Sequence, residues 1–429
     1  MKKALQGKIV VPGDKSITHR ALIFACLTEG VSKIEGLSPA HDCVSTANCL
    51  RALGVDIEMS QEAGQVKAIV KSSGLSGLKS TDKMLDAGNS GTTIRLMSGL
   101  VAGRLGKFSF DGDASLRKRP MKRVLTPLSE MGAKITYLTS PGLAPFSIEG
   151  KQLEAKNFDL GVASAQVETA ILLAGLQADG KTTVTLPFPA RDHTRRMFKY
   201  LGIPFEAENA LSTSVQKLDL SIQSKNIVVP ADISSAAFFL VAAAIIPGSD
   251  VTLKNVGINP GRTLILDVLA RMGADIKVVD VDAFAGEPVA DIRVKYNGAL
   301  SSATISGEEI ARGIDEIPIL ALAGAFSKGE LIVTGAEELR HKESDRLDLI
   351  VTNLKNAGAD IDLLPDGFSV RGCKKLKGGR SWLTGDDHRL SMVGMVANAV
   401  CESELQLEET ESPKISYPTF AADLEKLLV

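Results

Sequence analysis

The residues best suited to chemistry stand in short clusters at the starts of apolar runs. Pro12-Gly13-Asp14-Lys15-Ser16-Ile17-Thr18-His19-Arg20 puts a glycine turn, a lysine, hydroxyls and an arginine ahead of the apolar stretch Ala21 to Leu27. A helix start has unpaired N–H groups and the positive end of the helix dipole, so it attracts anions. Lysine and arginine at such a start would grip phosphate or carboxylate. A capped helix with a solvated first turn is the plainer reading, but it does not explain two cations where the dipole favours anions. Gly88-Asn89-Ser90-Gly91-Thr92-Thr93-Ile94-Arg95 repeats the theme before Leu96 to Val101. Its glycines and small hydroxyls make a backbone anion cradle, although a tight strand-to-helix turn uses the same residue types. Five cations lie between Arg117 and Arg123. Arg117 and Lys122 fit a solvated face equally well. Arg119 differs, because Pro120 fixes the backbone beside it and is expected to open the next helix.

Ser164-Ala165-Gln166 starts a small-residue helix, where Ser164 also suits an N-cap. Arg191-Asp192-His193-Thr194 precedes another helix. His193 is read as a capping or packing residue, since no second metal ligand lies at helical spacing. In the second half, Asp315-Glu316 precedes the apolar run Ile317 to Ala325. Arg340-His341-Lys342-Glu343-Ser344-Asp345-Arg346 packs opposed charges ahead of a helix, and Asp387-His388-Arg389 precedes Leu390 to Val400. Charges at helix starts in segment after segment suggest one shared anion site. Ordinary surface salt bridging, worth little per pair, is the alternative. Acids among these cations, Asp315 and Glu343, oppose anion binding and so need a chemical purpose.

An internal repeat carries these clusters. Leu53-Gly54-Val55-Asp56-Ile57 recurs as Met131-Gly132-Ala133-Lys134-Ile135, Leu201-Gly202-Ile203-Pro204-Phe205, Met272-Gly273-Ala274-Asp275-Ile276 and Ala357-Gly358-Ala359-Asp360-Ile361. Each copy follows an amphipathic stretch and precedes an alternating one, so the glycine reads as a helix C-cap feeding a strand. A second signature, a helix broken before a strand, falls at Gly30, Gly106, Gly180, Gly248, Gly329 and Ser403, at spacings of 76, 74, 68, 81 and 74 residues. Six units of this length predict an α/β chain of two domains with three βαβ-type units each. The junctions are expected near Asp14-Lys15 and in the segment Asn226 to Asp232.

The bulk numbers agree. At 429 residues two domains are the prior. Hydrophobic content of 44% and charged content of 23% are those of a globular protein. A net charge of −2 gives no support to a nucleic-acid or membrane-surface role. The five cysteines include no Cys-x-x-Cys pair, which argues for reduced thiols in a cytoplasmic protein and against zinc. Met1-Lys2-Lys3 is not followed by the apolar run of a signal peptide, and no uncharged stretch approaches the ~20 residues needed to span a bilayer.

Taken together, Gly13-Asp14-Lys15-Ser16 through Arg20, Gly88-Asn89 through Arg95, Arg119-Pro120, Lys342-Glu343-Ser344-Asp345-Arg346 and Asp387-His388-Arg389 resemble the 5-enolpyruvylshikimate-3-phosphate synthase family over the whole chain. The resemblance implies a two-domain inside-out α/β barrel with three βαβαββ repeats per domain. The first strand would join the C-terminal part, giving domains 1–14 plus 227–429 and 15–226. It implies transfer of the enolpyruvyl group of phosphoenolpyruvate to the 5-hydroxyl of shikimate 3-phosphate, with release of phosphate, in chorismate and aromatic amino-acid biosynthesis. No cofactor and no metal are implied, and a cytoplasmic monomer without nucleic-acid or membrane partners is expected.

The resemblance also assigns residues. Lys15, Ser16, Arg20, Ser164, Gln166, Arg191, Asp315 and Lys342 would bind shikimate 3-phosphate. Lys15, Gly91, Arg119, Gln166, Arg346 and Arg389 would bind phosphoenolpyruvate, with Asn89 and Arg95 supporting that loop. Asp315 would take the 5-hydroxyl proton, while Glu343 and Lys15 handle the methyl and phosphate protons. Relatives place a lysine directly before the last Thr-Phe-Pro; here Ile415 precedes Ser416-Tyr417-Pro418, and Lys414 is one residue away. Two rivals stand beside this reading. The sister transferase acting on UDP-N-acetylglucosamine uses a cysteine in the loop before Arg-Pro, where residues 111–119 have Ser115 and no cysteine. A non-catalytic anion-binding protein would leave Asp315 and Glu343 without a purpose.

Overall fold

The computed structural model describes residues 4–62, 65–298, 300–307, 309–408 and 411–429. The chain clusters into two units: Met1–Pro12, Pro230–Ala283 and Pro288–Val429 form one, and Gly13–Val229 with Phe284–Glu287 form the other. The sequence analysis did not anticipate that the short segment Phe284–Glu287 would belong with the second of these.

The unit built on Gly13–Val229 contains helices α1 (Lys15–Ala25), α2 (His41–Ala52), α3 (Gly91–Ala102), α4 (Lys122–Glu130), α5 (Ala165–Gly175) and α6 (His193–Leu201). Its strands form three main sheets. Glu29–Leu37 pairs in parallel with Ile227–Val228 and antiparallel with Gln65–Ser73, which pairs antiparallel with Asp56–Glu62. Gly106–Asp111 stands likewise between Met84–Asp86 and Phe146–Gly150, with Lys134–Tyr137 outermost. Lys181–Thr185 lies between Asn157–Asp159, parallel, and Ser212–Gln216, antiparallel.

The other unit contains α7 (Ile233–Ile245), α8 (Leu264–Arg271), α9 (Glu309–Gly313), α10 (Ile317–Gly324), α11 (Arg346–Ala357), α12 (His388–Val400) and α13 (Phe420–Leu427). The same strand pattern returns. Asp250–Gly257 pairs in parallel with Gln6–Ile9 and antiparallel with Glu287–Lys295. Ser327–Val333 pairs in parallel with Leu300–Ile305 and antiparallel with Gly367–Arg371. The last repeat is reduced to two short parallel pairs, Leu376–Gly378 with Cys401–Ser403 and Ser381–Trp382 with Gln406–Leu407. Gln6–Ile9 thus pairs with a strand far along the chain, which explains why the first residues belong with the C-terminal part.

Burial follows composition. All 13 residues of α7 and all eight of α10 are buried, as expected of helices apolar all round. Each large side chain there, such as Phe239 or Leu320, contributes roughly 1.5–3 kcal/mol by leaving water. Strands carry the opposite signature: in Glu29–Leu37 buried Ser32, Ile34 and Leu37 are spaced by exposed residues, so one sheet face meets solvent. The repeated glycine after each helix does have positive φ, for example +85° at Gly202 and +95° at Gly358, where it ends α6 and α11.

Two helix starts, α1 and α3, precede the apolar runs of the sequence reading, because a capping side chain sets the beginning more than a turn earlier. Asp14 accepts from the Ile17 N–H at 2.8 Å, so α1 starts at Lys15 and Lys15, Ser16 and Arg20 lie within it. Ser90 caps α3 in the same way at Thr93, which makes Gly91 its first residue. Pro120 does not open a helix: α4 starts at Lys122 after Met121, and Arg119 follows a 3-10 turn at Leu116–Lys118.

Candidate active site

Within the unit of α1 to α6, the helix starts are stitched together by their own polar side chains. Arg20 is 2% exposed. Its Nε donates to Thr194 Oγ1 at 2.9 Å on α6. Its Nη2 donates to Thr169 Oγ1 at 3.0 Å and to the Ala165 carbonyl at 3.4 Å on α5, and its Nη1 to the Ser16 carbonyl at 3.1 Å. These partners are all neutral. Burial lowers the Arg20 pKa to about 10, and the nearby Arg191 acts in the same direction while Asp14 and Glu168 oppose it. A buried guanidinium held only by neutral groups keeps its charge available for an anion. Ser164 caps α5 through the Val167 N–H, so it is an N-cap as well as a candidate ligand.

Lys15 is held by Asp42, Nζ to Oδ2 3.0 Å, with side chains 25% and 10% exposed. Behind this pair, the His19 ring nitrogen Nδ1 lies 2.7 Å from Thr46 Oγ1. Thr46 lies 2.7 Å from Thr93 Oγ1, which lies 2.8 Å from Ser90 Oγ. This chain of hydroxyls ties α1 and α2 to the capping serine of α3. Burial pushes the His19 imidazole down to about 3; Lys15 and Arg20 add to the effect and Asp42 opposes it. His19 is therefore a neutral strut.

The α3 start carries the second cluster. Arg95 Nη1 donates to Gln166 Oε1 at 2.7 Å and Nη2 to the Pro120 carbonyl at 3.3 Å. Gln166 Nε2 donates in turn to Thr92 Oγ1 at 2.9 Å. Arg119 reaches Asn89 Oδ1 at 2.9 Å and Ser115 Oγ at 3.3 Å, and Asn89 Nδ2 is fixed by Asp113 Oδ2 at 2.7 Å. A methyl group built on Gly91 would stand 2.9 Å from Arg95 Nη1 and 3.6 Å from Arg119 Nη1. Gly91 therefore lies directly beneath both guanidiniums. Arg117 turns away to Asp111, 2.8 Å from Nε, and belongs to the solvated face.

The unit of α7 to α13 carries a different constellation, centred on Arg346, whose side chain is 1% exposed. Its Nε donates to Asp387 Oδ2 at 2.7 Å, its Nη2 to Glu343 Oε2 at 2.7 Å, and its Nη1 lies 3.5 Å from Asp315 Oδ1. Arg389 Nε approaches the same Asp315 oxygen at 3.8 Å. Burial works against the Arg346 charge, but Asp387, Glu343 and Asp315 outweigh it and hold its pKa above the ordinary value. Burial also works against the Asp387 carboxylate, and Arg346 with His388 keeps its pKa below the usual range. The elements arise from capping: Asp345 caps α11 and Asp387 caps α12, so Arg346 and Arg389 lie in adjoining first turns.

Not every expected residue joins these clusters. Lys342 pairs with Glu338, at 3.6 Å. Lys414 is exposed and paired with Glu411. His193 is buried with Nδ1 2.7 Å from Glu287 Oε1, as the packing reading requires. Sequence reasoning missed Asp42, Thr169 and Thr194, whose partners are distant in the chain. It also missed Asp387 as the main counter-ion of Arg346, although an aspartate before an apolar run is a legible cap signal. Among the described residues no group of three or more His, Cys, Asp or Glu side chains is arranged to hold a metal ion. Among the described residues no helix is long and apolar enough to cross a membrane.

The chain was compared with known proteins. A family model described as EPSP synthase (3-phosphoshikimate 1-carboxyvinyltransferase) matches residues 1–424. The 3-phosphoshikimate 1-carboxyvinyltransferase of Synechococcus sp. (strain CC9605) is 47% identical over 426 residues, 99% of this chain and 96% of that protein. The Bacillus velezensis protein of the same name is 45% identical over 427 residues, 99% of this chain and 97% of its own length. A solved structure of EPSP synthase from Acinetobacter baumannii has a TM-score of 0.90 at 39% identity and covers 100% of this chain and 97% of that one.

Proposed function

The chain belongs to the EPSP synthase family, and from that premise we propose how its own residues divide the work. It is an enzyme that transfers the enolpyruvyl group of phosphoenolpyruvate to the 5-hydroxyl of shikimate 3-phosphate and releases phosphate. The rival transferase acting on UDP-N-acetylglucosamine and the non-catalytic binding protein are set aside.

Shikimate 3-phosphate is bound by Lys15, Ser16, Arg20, Ser164, Gln166 and Arg191, with Lys342 and Asp315 also assigned to it. Phosphoenolpyruvate is bound by Lys15, Gly91, Arg119, Gln166, Arg346 and Arg389, with Asn89 and Arg95 bracing the loop. The observation that carries the chemistry is that Asp315 and Glu343, from separate segments, share one guanidinium at Arg346. Two carboxylates beside one fixed cation suit a reaction that moves two protons. In the addition step a proton goes to the methylene carbon of phosphoenolpyruvate. Asp315 removes the 5-hydroxyl proton, and that oxygen bonds to the adjacent carbon. In the elimination step the methyl group gives a proton back and the carbon–oxygen bond to phosphate breaks. Glu343 and Lys15 carry the methyl and phosphate protons. The arginines stabilise charge that develops on the carboxylate and the leaving phosphate.

The functional domains are proposed as 1–14 with 227–429, supplying the acids, and 15–226, supplying most anion ligands. The parallel-then-antiparallel strand pattern supports three βαβαββ repeats per domain in an inside-out barrel. A cytoplasmic monomer is proposed, in keeping with five cysteines that include no Cys-x-x-Cys pair. The test of the acid–base assignment is Asp315→Asn. It should keep the dissociation constants for both substrates and lose ~10²–10⁴-fold in turnover. Phosphate release at a near-normal rate, or substrate binding lost in proportion to turnover, would overturn it.

A further inference from the structure

Glu316, next to Asp315, is 1% exposed. A carboxylate taken out of water costs several kcal/mol unless it is paired. Nothing local asks for it: Glu316 precedes the apolar helix α10, and its side chain makes no capping bond there. Instead it reaches across to the first turn of α7, where the Ser234 hydroxyl donates to Glu316 Oε1. The same hydroxyl accepts from Arg262 Nη2 at 2.7 Å, and that guanidinium is 3.2 Å from Asp232 Oδ1. Arg262 and Ser234 are each 3% exposed. A fully buried polar network therefore ends at the residue beside the proposed base.

We propose that Glu316 is a positioning residue for the transfer reaction: its carboxylate, anchored on Ser234 and through it on Arg262, fixes the turn that presents Asp315 to Arg346 and Arg389. This rests on the reading of Asp315 as the base. The backbone of Glu316 is itself pinned, its N–H donating to the Gly313 carbonyl at 3.0 Å and its carbonyl accepting from the Leu320 N–H at 3.0 Å. One peptide unit, ~3.8 Å between Cα atoms, separates it from Asp315, so a shift at one is passed to the other. Misplacement of a reacting group by ~1 Å can cost ~10²-fold in rate.

The experiment compares Glu316→Gln in two backgrounds, the unaltered enzyme and Asp315→Asn, by single-turnover and steady-state phosphate release. In the unaltered background Glu316→Gln should lower kcat by ~10–100-fold with both Michaelis constants within about threefold. In the Asp315→Asn background it should cost nothing further, because residues acting as one unit are not additive. Ser234→Ala, which leaves the α9–α10 segment unaltered, should show the same pattern at ~3–10-fold, and it carries the test if Glu316→Gln does not fold. Equal losses in both backgrounds, Michaelis constants rising as kcat falls, or unchanged kcat would overturn the inference. An inactive Asp315→Asn beside a normal Glu316→Gln overturns this inference alone; an active Asp315→Asn overturns it together with the base assignment.

Discussion

Gly91→Ala tests the proposed phosphoenolpyruvate half of the binding set. Gly91 is the first residue of α3 and its φ is not in the left-handed region, so alanine fits the backbone without strain. The added methyl meets Arg95 Nη1 at 2.9 Å. That atom ends a flexible side chain, so Arg95 moves aside, and the movement lengthens its 2.7 Å bond to Gln166. The same methyl sits 3.6 Å from Arg119 Nη1, on the face where the smaller anion would approach. Losing one charge-assisted hydrogen bond costs ~1.5–3 kcal/mol, or roughly 10- to 150-fold in affinity. Arg95 can re-form part of its bond, so the lower end is expected: a ~10-fold rise in the phosphoenolpyruvate Michaelis constant. Shikimate 3-phosphate, proposed to be held chiefly through Arg20 and the α5 start, should change less than ~3-fold. Steady-state kinetics with each substrate varied in turn, beside thermal melting, make the assay. Equal loss for both substrates, or a fall of many degrees in Tm, would refute the argument and leave Gly91 as a backbone residue only.

Arg20→Ala should weaken shikimate 3-phosphate by ~1.5–3 kcal/mol or more and phosphoenolpyruvate far less, because its guanidinium is tied to α5 and α6 and has only neutral partners; calorimetric losses of similar size for both ligands would contradict this. His19 makes stability fall with acid. The unfolded chain takes up its proton near pH 6.5, while the buried ring resists until about 3. Its effect is therefore absent above pH 6.5 and grows as pH falls, to on the order of 3 kcal/mol by about pH 4.5. His19→Gln keeps a polar partner for Thr46 and cannot titrate, so urea midpoints should show the stability gap between the two proteins shifting steadily in the variant's favour below pH 6.5. A gap that stays constant from pH 7 to 4.5 would refute the neutral-strut reading.

The helix starts proposed to bind the substrates were legible as helix starts because their features are written in short runs: a cap, a glycine, a cation in the first turn. Gly88 through Arg95 contains its own helix start, its own cap and its own charge. The recurring glycine was legible for a similar reason, since α2, α4, α6, α8 and α11 are each followed by a glycine of positive φ before a strand begins, as at Gly54 and Gly273. Contacts between segments were not legible. Asp42 lies 27 residues from Lys15, and Thr194 lies 174 residues from Arg20. No local propensity encodes such pairs. Nor could the sequence separate the adjacent acids Asp315 and Glu316. Successive residues at a helix start point about 100° apart, so one can face Arg346 while the other faces Ser234, and only packing decides which.

The contrast between Arg20 and Arg346 separates this enzyme from a protein that merely holds anions. A binding site gains most from cations whose hydrogen-bond partners are neutral, since more of the charge is then offered to the ligand. Arg20, among hydroxyls and carbonyls, is built in that way. Arg346 is not: Asp387, Glu343 and Asp315 surround it, three carboxylates against Arg346 and Arg389. Such a cluster opposes the approach of anionic substrates, so affinity alone would not favour it. Asp387 is buried and serves as a fixed counter-ion, whereas Glu343 and Asp315 keep 23% and 20% of their side chains exposed. The two acids that remain accessible are those to which the proton transfers are assigned. The proposed anion ligands thus lie mostly on helices α1, α3 and α5, and the proposed acids just before α10 and α11, with Lys15 on α1 serving both tasks. That separation lets each group have the charge environment its task requires.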